Sequence, residues 1–156
     1  MLRLTKQADY AIILLIRLAE GGNDAAMSAR DLAQSVHLPA PFVSKVLKQL
    51  TREGLLESLR GVHGGYRLAR PAAEISLAEI ITAVEGPIAL TECTSSEDPV
   101  CGINALCSVR LKWERINGLI RGSLEGVSLE EMARPLPHTV LFSRAHGDDP
   151  VATPSR

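Results

Sequence analysis

Residues 28–54 read SARDLAQSVHLPAPFVSKVLKQLTREG, and the order of apolar, polar and helix-stopping residues in this stretch decides the fold. Ser28-x-x-Asp31 is a capping-box-like start: the hydroxyl serves orphan amides and the carboxylate sits in the first turn. Leu32, Ala33 and Val36 form one inner face. His37-Leu38-Pro39 stops that helix, because proline disfavours helical backbone at the residue before it. The next helix is expected to start near Pro41, a favourable first-turn residue, and to end at Gly54, a natural left-handed cap. Its Val43, Val46, Leu47 and Leu50 point inward, whereas Ser44, Lys45, Lys48 and Arg52 lie on the other side. Two short helices joined by a tight turn, the second carrying cations on its outer face, form the helix-turn-helix pattern.

Upstream, Leu4, Ala8, Ala11, Ile12, Leu15, Leu18 and Ala19 recur at helical spacing. They predict a first helix from about Thr5 to Glu20, ended by Gly21-Gly22-Asn23-Asp24. Ile13, Leu14 and Ile16 widen its apolar surface beyond one face. Such a helix is expected to be buried on more than one side, with a partner subunit as one cover. Downstream, Leu55 to Leu59 and Tyr66 to Leu68 read as strands around the loop Arg60-Gly61-Val62-His63-Gly64-Gly65. Arg60, His63, Arg67 and Arg70 make this hairpin basic. Three helices followed by a two-stranded basic wing give a mainly α fold, a winged helix-turn-helix domain. A generic three-helix module with a solvated charged hairpin would show the same elements. The coincidence of cations on the second helix of the pair and on the wing favours double-stranded DNA as the partner. The charge distribution agrees: residues 1–70 carry 10 Lys+Arg and 6 Asp+Glu, whereas residues 71–156 carry 7 and 12.

The chain has 156 residues, 46% hydrophobic and 22% charged, the balance of an ordinary globular protein. Its longest apolar run, Ala11 to Ile16, falls well short of the roughly 20 residues of a membrane span. Met1-Leu2-Arg3-Leu4 leads straight into amphipathic sequence without a signal-like apolar region, so a cytoplasmic protein is expected. Ser76 and Glu79 form a capping box for a fourth helix, with Ile75 stapled to Ile80 and Gly86-Pro87 as its close. The winged domain is therefore placed at residues 1–86. Residues 87–107 form an irregular segment holding Cys93, Cys101 and Cys107. A long helix follows, about Ala105 to Leu124, on which Leu106, Val109, Trp113, Ile116, Ile120 and Leu124 approach a heptad seam. A dimerisation helix is expected there, and Val127 to Met132 repeats the cap-and-staple device, completing a 105–133 unit. The remainder, 134–156, has its periodicity broken by prolines and reads as a mobile tail. The four histidines are scattered, with none in a recognisable triad. No glycine-rich phosphate loop opens a helix either, so neither an enzyme nor a small-molecule substrate is expected.

Three cysteines, an odd number, argue against a disulfide framework and for metal or redox chemistry. The spacing Cys93-x7-Cys101-x5-Cys107 lets three soft thiolates converge, which suits zinc or an iron–sulfur cluster rather than magnesium or calcium. It matches neither a zinc ribbon nor a ferredoxin run. Three free buried thiols are the plain alternative.

Three stretches resemble the Rrf2 family of bacterial winged-helix transcription regulators. They are Leu4-Thr5-Lys6-Gln7-Ala8-Asp9-Tyr10-Ala11, the wing Arg60-Gly61-x-x-Gly64-Gly65-Tyr66-x-Leu68, and Ile75-Ser76-Leu77-Ala78-Glu79-Ile80 ahead of the cysteines. Glu85-Gly86-Pro87-Ile88-Ala89-Leu90-Thr91-Glu92-Cys93 looks most like the subgroup that regulates the SUF iron–sulfur assembly operon. The resemblance covers roughly Met1 to Met132. It implies a homodimer with crossing long helices, and an iron–sulfur cluster, [2Fe-2S] or [4Fe-4S], held by Cys93, Cys101 and Cys107. One branch of the family takes its fourth ligand from a histidine three residues past the last cysteine; here Arg110 stands there. Another branch uses an acidic residue of the partner's first helix, the position of Asp9, which otherwise reads as a solvated carboxylate at a helix start. On a near-palindromic operator, Ser44 and Lys45 are expected at base edges, Phe42 at a thymine methyl, and Lys48 and Arg52 at phosphates. Arg60 resembles the family's minor-groove arginine, with His63 beside it on the wing. Two other functions fit the same residues: a cluster-free thiol redox sensor that regulates transcription, and an iron–sulfur carrier or interaction protein with a vestigial DNA-binding module.

Overall fold

The computed structural model describes residues 4–22, 25–61, 64–91, 94 and 107–135. Helix α1 spans Lys6–Glu20, with the Thr5 hydroxyl accepting from the N–H of Ala8. Helices α2 (Ala29–Ser35) and α3 (Ala40–Arg52) form the helix-turn-helix pair. Strands β1 (Leu56–Leu59) and β2 (Gly65–Leu68) pair antiparallel, with Leu56 opposite Leu68 and Leu59 opposite Gly65. A 3-10 turn over Ala72–Glu74 leads into α4 (Leu77–Glu85), and α5 (Arg110–Glu125) and α6 (Leu129–Ala133) complete the described elements. This is the winged-helix arrangement expected from the sequence.

Local chemistry explains most boundaries. Ser28 caps α2 by accepting from the N–H of Asp31 at 3.1 Å. Ser76 and Glu79 form a complete capping box on α4. Both α2 and α3 end in the same Schellman arrangement. The N–H of Leu38 bonds the Ala33 carbonyl and that of His37 the Gln34 carbonyl; the N–H of Leu55 bonds Leu50 and that of Gly54 bonds Thr51. The left-handed position is Gly54 (φ 77°) in one case and His37 (φ 54°) in the other.

The core lies around α1. Ala11, Leu14, Leu15, Val43, Val46, Leu47, Leu50, Ile75, Ile80 and Leu129 are fully buried in one cluster. The wide apolar surface of α1 is covered chiefly by α3, α4, α6 and β2 of the same chain. Leu14 is buried and Ile16 packs on the core; Ile13 stays exposed. The wing is joined to the approach of α2 by paired bonds between Met27 and Tyr66, 2.8 and 3.0 Å long. Gly65 is required there, because a Cβ would stand 2.5 Å from the Met27 carbonyl oxygen.

One boundary and one placement differ from the sequence reading. The long helix begins at Arg110 rather than near Ala105. Cys107 to Val109 form a turn, Val109 lies at φ −108°, and no side chain caps the helix start. Ala105 and Leu106 lie outside the described residues. The short α6 also folds back onto the winged domain. Leu129 is fully buried, its N–H donates to Ile75 at 2.8 Å, and the N–H of Leu77 donates to Val127 at 2.8 Å.

Candidate nucleic-acid interface and cysteine segment

Helix α3 buries Val43, Val46, Leu47 and Leu50, which fixes what the opposite side presents. Lys45, Lys48 and Arg52 are exposed and fall within about 60° of one another on the helix surface, at about 100° per residue. Lys45 and Lys48 have no ion pair among the described residues, while Arg52 makes a long 3.4 Å contact with Glu53. Ser44 is half-buried at the edge of this row. Phe42 is not on it: its ring packs on the core and meets Tyr10 of α1 edge-on, with centroids 5.6 Å apart.

The wing contributes less charge than its composition implied. Arg67 pairs with Glu57 across the strands through two bonds of 2.9 and 3.1 Å. Arg70 bonds Glu79 at 2.8 Å and so buttresses the α4 capping box. Arg60, in the wing turn, is exposed and makes no ion pair among the described residues. His63 lies outside the described residues. Further cations of the winged domain escaped the sequence reading: Lys6 and Arg30 are exposed and also lack ion pairs among the described residues. Arg30 stands in the first turn of α2, where helix-turn-helix proteins cross the DNA backbone. Its position just after the Ser28 cap was the available signal.

Of the cysteines, Cys107 is described: a free thiol, half-buried, in the turn before α5. Cys93 and Cys101 lie outside the described residues. The approach to the segment is held by Asn117, the one buried polar side chain among the described residues. Its amide donates to the Ile88 carbonyl and accepts from the Leu90 N–H, both at 3.1 Å. Thr94, one residue past Cys93, bonds back to Thr91 in a tight turn. Asp9 is exposed on the first turn of α1, and its carboxylate has no partner among the described residues. The free soft thiol of Cys107 is a donor of the kind an iron–sulfur site uses.

A model of the Rrf2 family, described as an iron-dependent transcriptional regulator, matches residues 4–135. The chain belongs to the Rrf2 family. This Rrf2 protein is 30% identical over 136 residues to protein aau3 of Rhizobium meliloti (strain 1021), covering 87% of this chain and 88% of that one. It is 29% identical over 131 residues to the HTH-type transcriptional regulator IscR of Photorhabdus laumondii, covering 84% of this chain and 79% of the relative. Among solved structures it superposes on CymR, the global cysteine regulator of B. subtilis, with a TM-score of 0.68 at 28% identity. That match covers 85% of this chain and 97% of CymR. The Rrf2 chain is thus a winged-helix DNA-binding transcriptional regulator, and the names of IscR and CymR call those two proteins regulators. No helix among the described residues is long and apolar enough to cross a membrane.

Proposed function

We propose that this Rrf2 regulator binds a near-palindromic operator as a homodimer and that an iron–sulfur cluster on its cysteine segment sets its affinity. The observation that carries the DNA reading is the row of exposed cations on α3, with Lys45, Lys48 and the wing's Arg60 making no ion pair among the described residues. Two recognition helices in successive major grooves, about 34 Å apart, would match the two-fold symmetry of such an operator. Ser44 and Lys45 read base edges, Lys48 and Arg52 hold phosphates, and Arg60 enters the minor groove. Phe42 supports the helix start against Tyr10, and a thymine-methyl contact by it is a secondary role. His63 completes the wing contact.

The second copy covers α5. Leu111 and Leu119 are 77% and 65% exposed, and Val109, Trp113 and Ile116 are also exposed, an apolar surface broader than the heptad stripe. Cys93, Cys101 and Cys107 hold the cluster, with the partner subunit's Asp9 as fourth ligand. When bound, the cluster supplies an iron- and redox-responsive crosslink among these thiolates. The chain's own part is mechanical: the cysteine segment joins α4 to α5, so ordering it changes how the two winged domains are set. A coupling of about 1 to 3 kcal/mol is the usual size for such a switch. The resemblance of residues 85–93 to SUF-operon regulators makes iron–sulfur assembly genes the proposed targets.

A second reading, direct thiol oxidation without metal, is favoured by the half-exposed free thiol of Cys107. The DNA reading is tested by selecting the operator from random duplexes and measuring two variants on it. Lys45→Ala is expected to erode discrimination between operator and random DNA. Lys48→Ala is expected to weaken both together and to lower the salt slope by about one. Unchanged discrimination in Lys45→Ala would remove that residue from base readout.

A further inference from the structure

Gln49 joins three helices through one side chain. Its Nε2 donates to the carbonyls of Ala83 and Val84 at 2.9 and 3.2 Å, and its Oε1 accepts from Gln7 Nε2 at 2.8 Å. Ala83 and Val84 lie in the last turn of α4, where carbonyls have no partner within the helix. Among the described residues, no backbone N–H outside the helix is bonded to them. Helix α4 has no basic residue in its last turn, and Gly86, at φ 87°, donates its N–H to Thr82 instead. The helix that leads into the cysteine segment is therefore capped from the recognition helix.

Beyond Gly86 the chain is held again, by Asn117 of α5 at Ile88 and Leu90. Residues 83–90 thus span from α3 at one end to α5 at the other, with a positive-φ glycine between. Helix α1 braces the same junction. Its Gln7 meets Gln49, its Tyr10 meets Phe42, and the N–H of Thr5 donates to Glu85 Oε1 at 2.7 Å. Gln49 is one residue from Lys48 and four from Lys45, so it shares one helix with the cations proposed above to contact DNA.

We propose that Gln49 is the positioning residue that carries a change in residues 83–90 into the recognition helix. This rests on the reading that chemistry at the cysteines alters DNA binding. Nothing in the periodicity of α3 marks the residue; its partners stand 34 and 35 positions away.

The test is amide hydrogen exchange on the full-length reduced protein, before and after alkylation of its cysteines with N-ethylmaleimide. In the wild type, exchange is expected to change by on the order of threefold or more in both 77–90 and 46–52. In Gln49→Met, which keeps the volume and loses the donor, 77–90 should still respond and 46–52 should not. Gln49→Asn, whose shorter amide cannot reach the α4 carbonyls, supplies the same comparison if the methionine variant fails to fold. Gln7→Ala should respond like the wild type, because the α4 bonds remain. An equal response of 46–52 in wild type and Gln49→Met would overturn the proposal, as would a wild-type response confined to 77–90. Both results would leave the cysteine reading standing. No response in any segment of the wild type would remove both.

Discussion

His37 and Gly54 occupy equivalent places, the left-handed residue after α2 and after α3, yet only one is glycine. A residue with a Cβ in that conformation costs about 1 to 2 kcal/mol, partly offset by the larger unfolded-state entropy of glycine. His37→Gly should therefore stabilise the domain by about 0.5 kcal/mol, whereas Gly54→Ala should destabilise it by about 1 kcal/mol. Chemical denaturation of the two variants checks both signs, and a destabilised His37→Gly would mean that the imidazole makes a contact worth more than the strain. Gly54 was legible as a helix end because glycine announces such a position. The left-handed turn at His37 was not, since histidine carries no such signal and the stop was attributed to Pro39. Charge at the residue scale was legible only in part. Lys45 and Lys48 are exposed and make no ion pair among the described residues, as their spacing implied, but Arg67 and Arg70 are paired with Glu57 and Glu79. Pairing of that kind depends on strand register and on the placement of α4, which no count of cations contains.

Helix α4 depends on its first turn. Burial alone would raise the Glu79 pKa, but hydrogen bonds from the Ser76 N–H, the Arg70 guanidinium and the Ser76 hydroxyl, with the Arg70 charge, bring it below the usual 4.5. A folded value below the unfolded one means that the stabilisation is complete above about pH 4.5 and is lost as pH falls through the folded value. The stability gap between wild type and Glu79→Gln should thus narrow as pH falls below about 4.5. A gap constant over that fall would contradict the role of the carboxylate. The caps at Ser28, Ser76 and Ser128 could be read directly, because capping is chemistry between residues three apart. The covering of α1 and the return of α6 could not. An apolar face says that it is buried, not by which segment, and Leu129 fills the α1 core from the far end of the chain. Gln7, Gln49 and Asn117 escaped for the same reason, since their partners are distant in sequence.

Among the described residues of the molecule, most of the exposed large hydrophobic side chains lie on or beside α5. Gly118 and Gly122 have nothing within 4 Å of an added Cβ, and Leu111 and Leu119 flank them in the open. A second copy seated there would explain why so much apolar area stays outside the core of one chain. Light scattering should give twice the 16.8 kDa of a single chain for the wild type. Leu119→Glu should shift the mass toward one chain, with the helical content retained. A dimer unaffected by that charge would place the subunit contact elsewhere. At this scale the sequence supported a winged-helix fold followed by a long amphipathic helix, because each has its own local pattern. It did not show which face of α5 is bare, because the expected stripe is partly buried within the chain at Ile120 and Leu124.

The central claim, that the cysteine segment is a cluster-bearing switch, is tested most directly by the ultraviolet–visible spectrum of protein purified without oxygen, with iron and acid-labile sulfide assayed on the same sample. The account predicts a brown protein with iron and sulfide in equal amounts, and loss of the visible absorbance in Cys101→Ala. A colourless chain that cannot be reconstituted with ferrous iron and sulfide would contradict it and leave a cluster-free thiol regulator in its place.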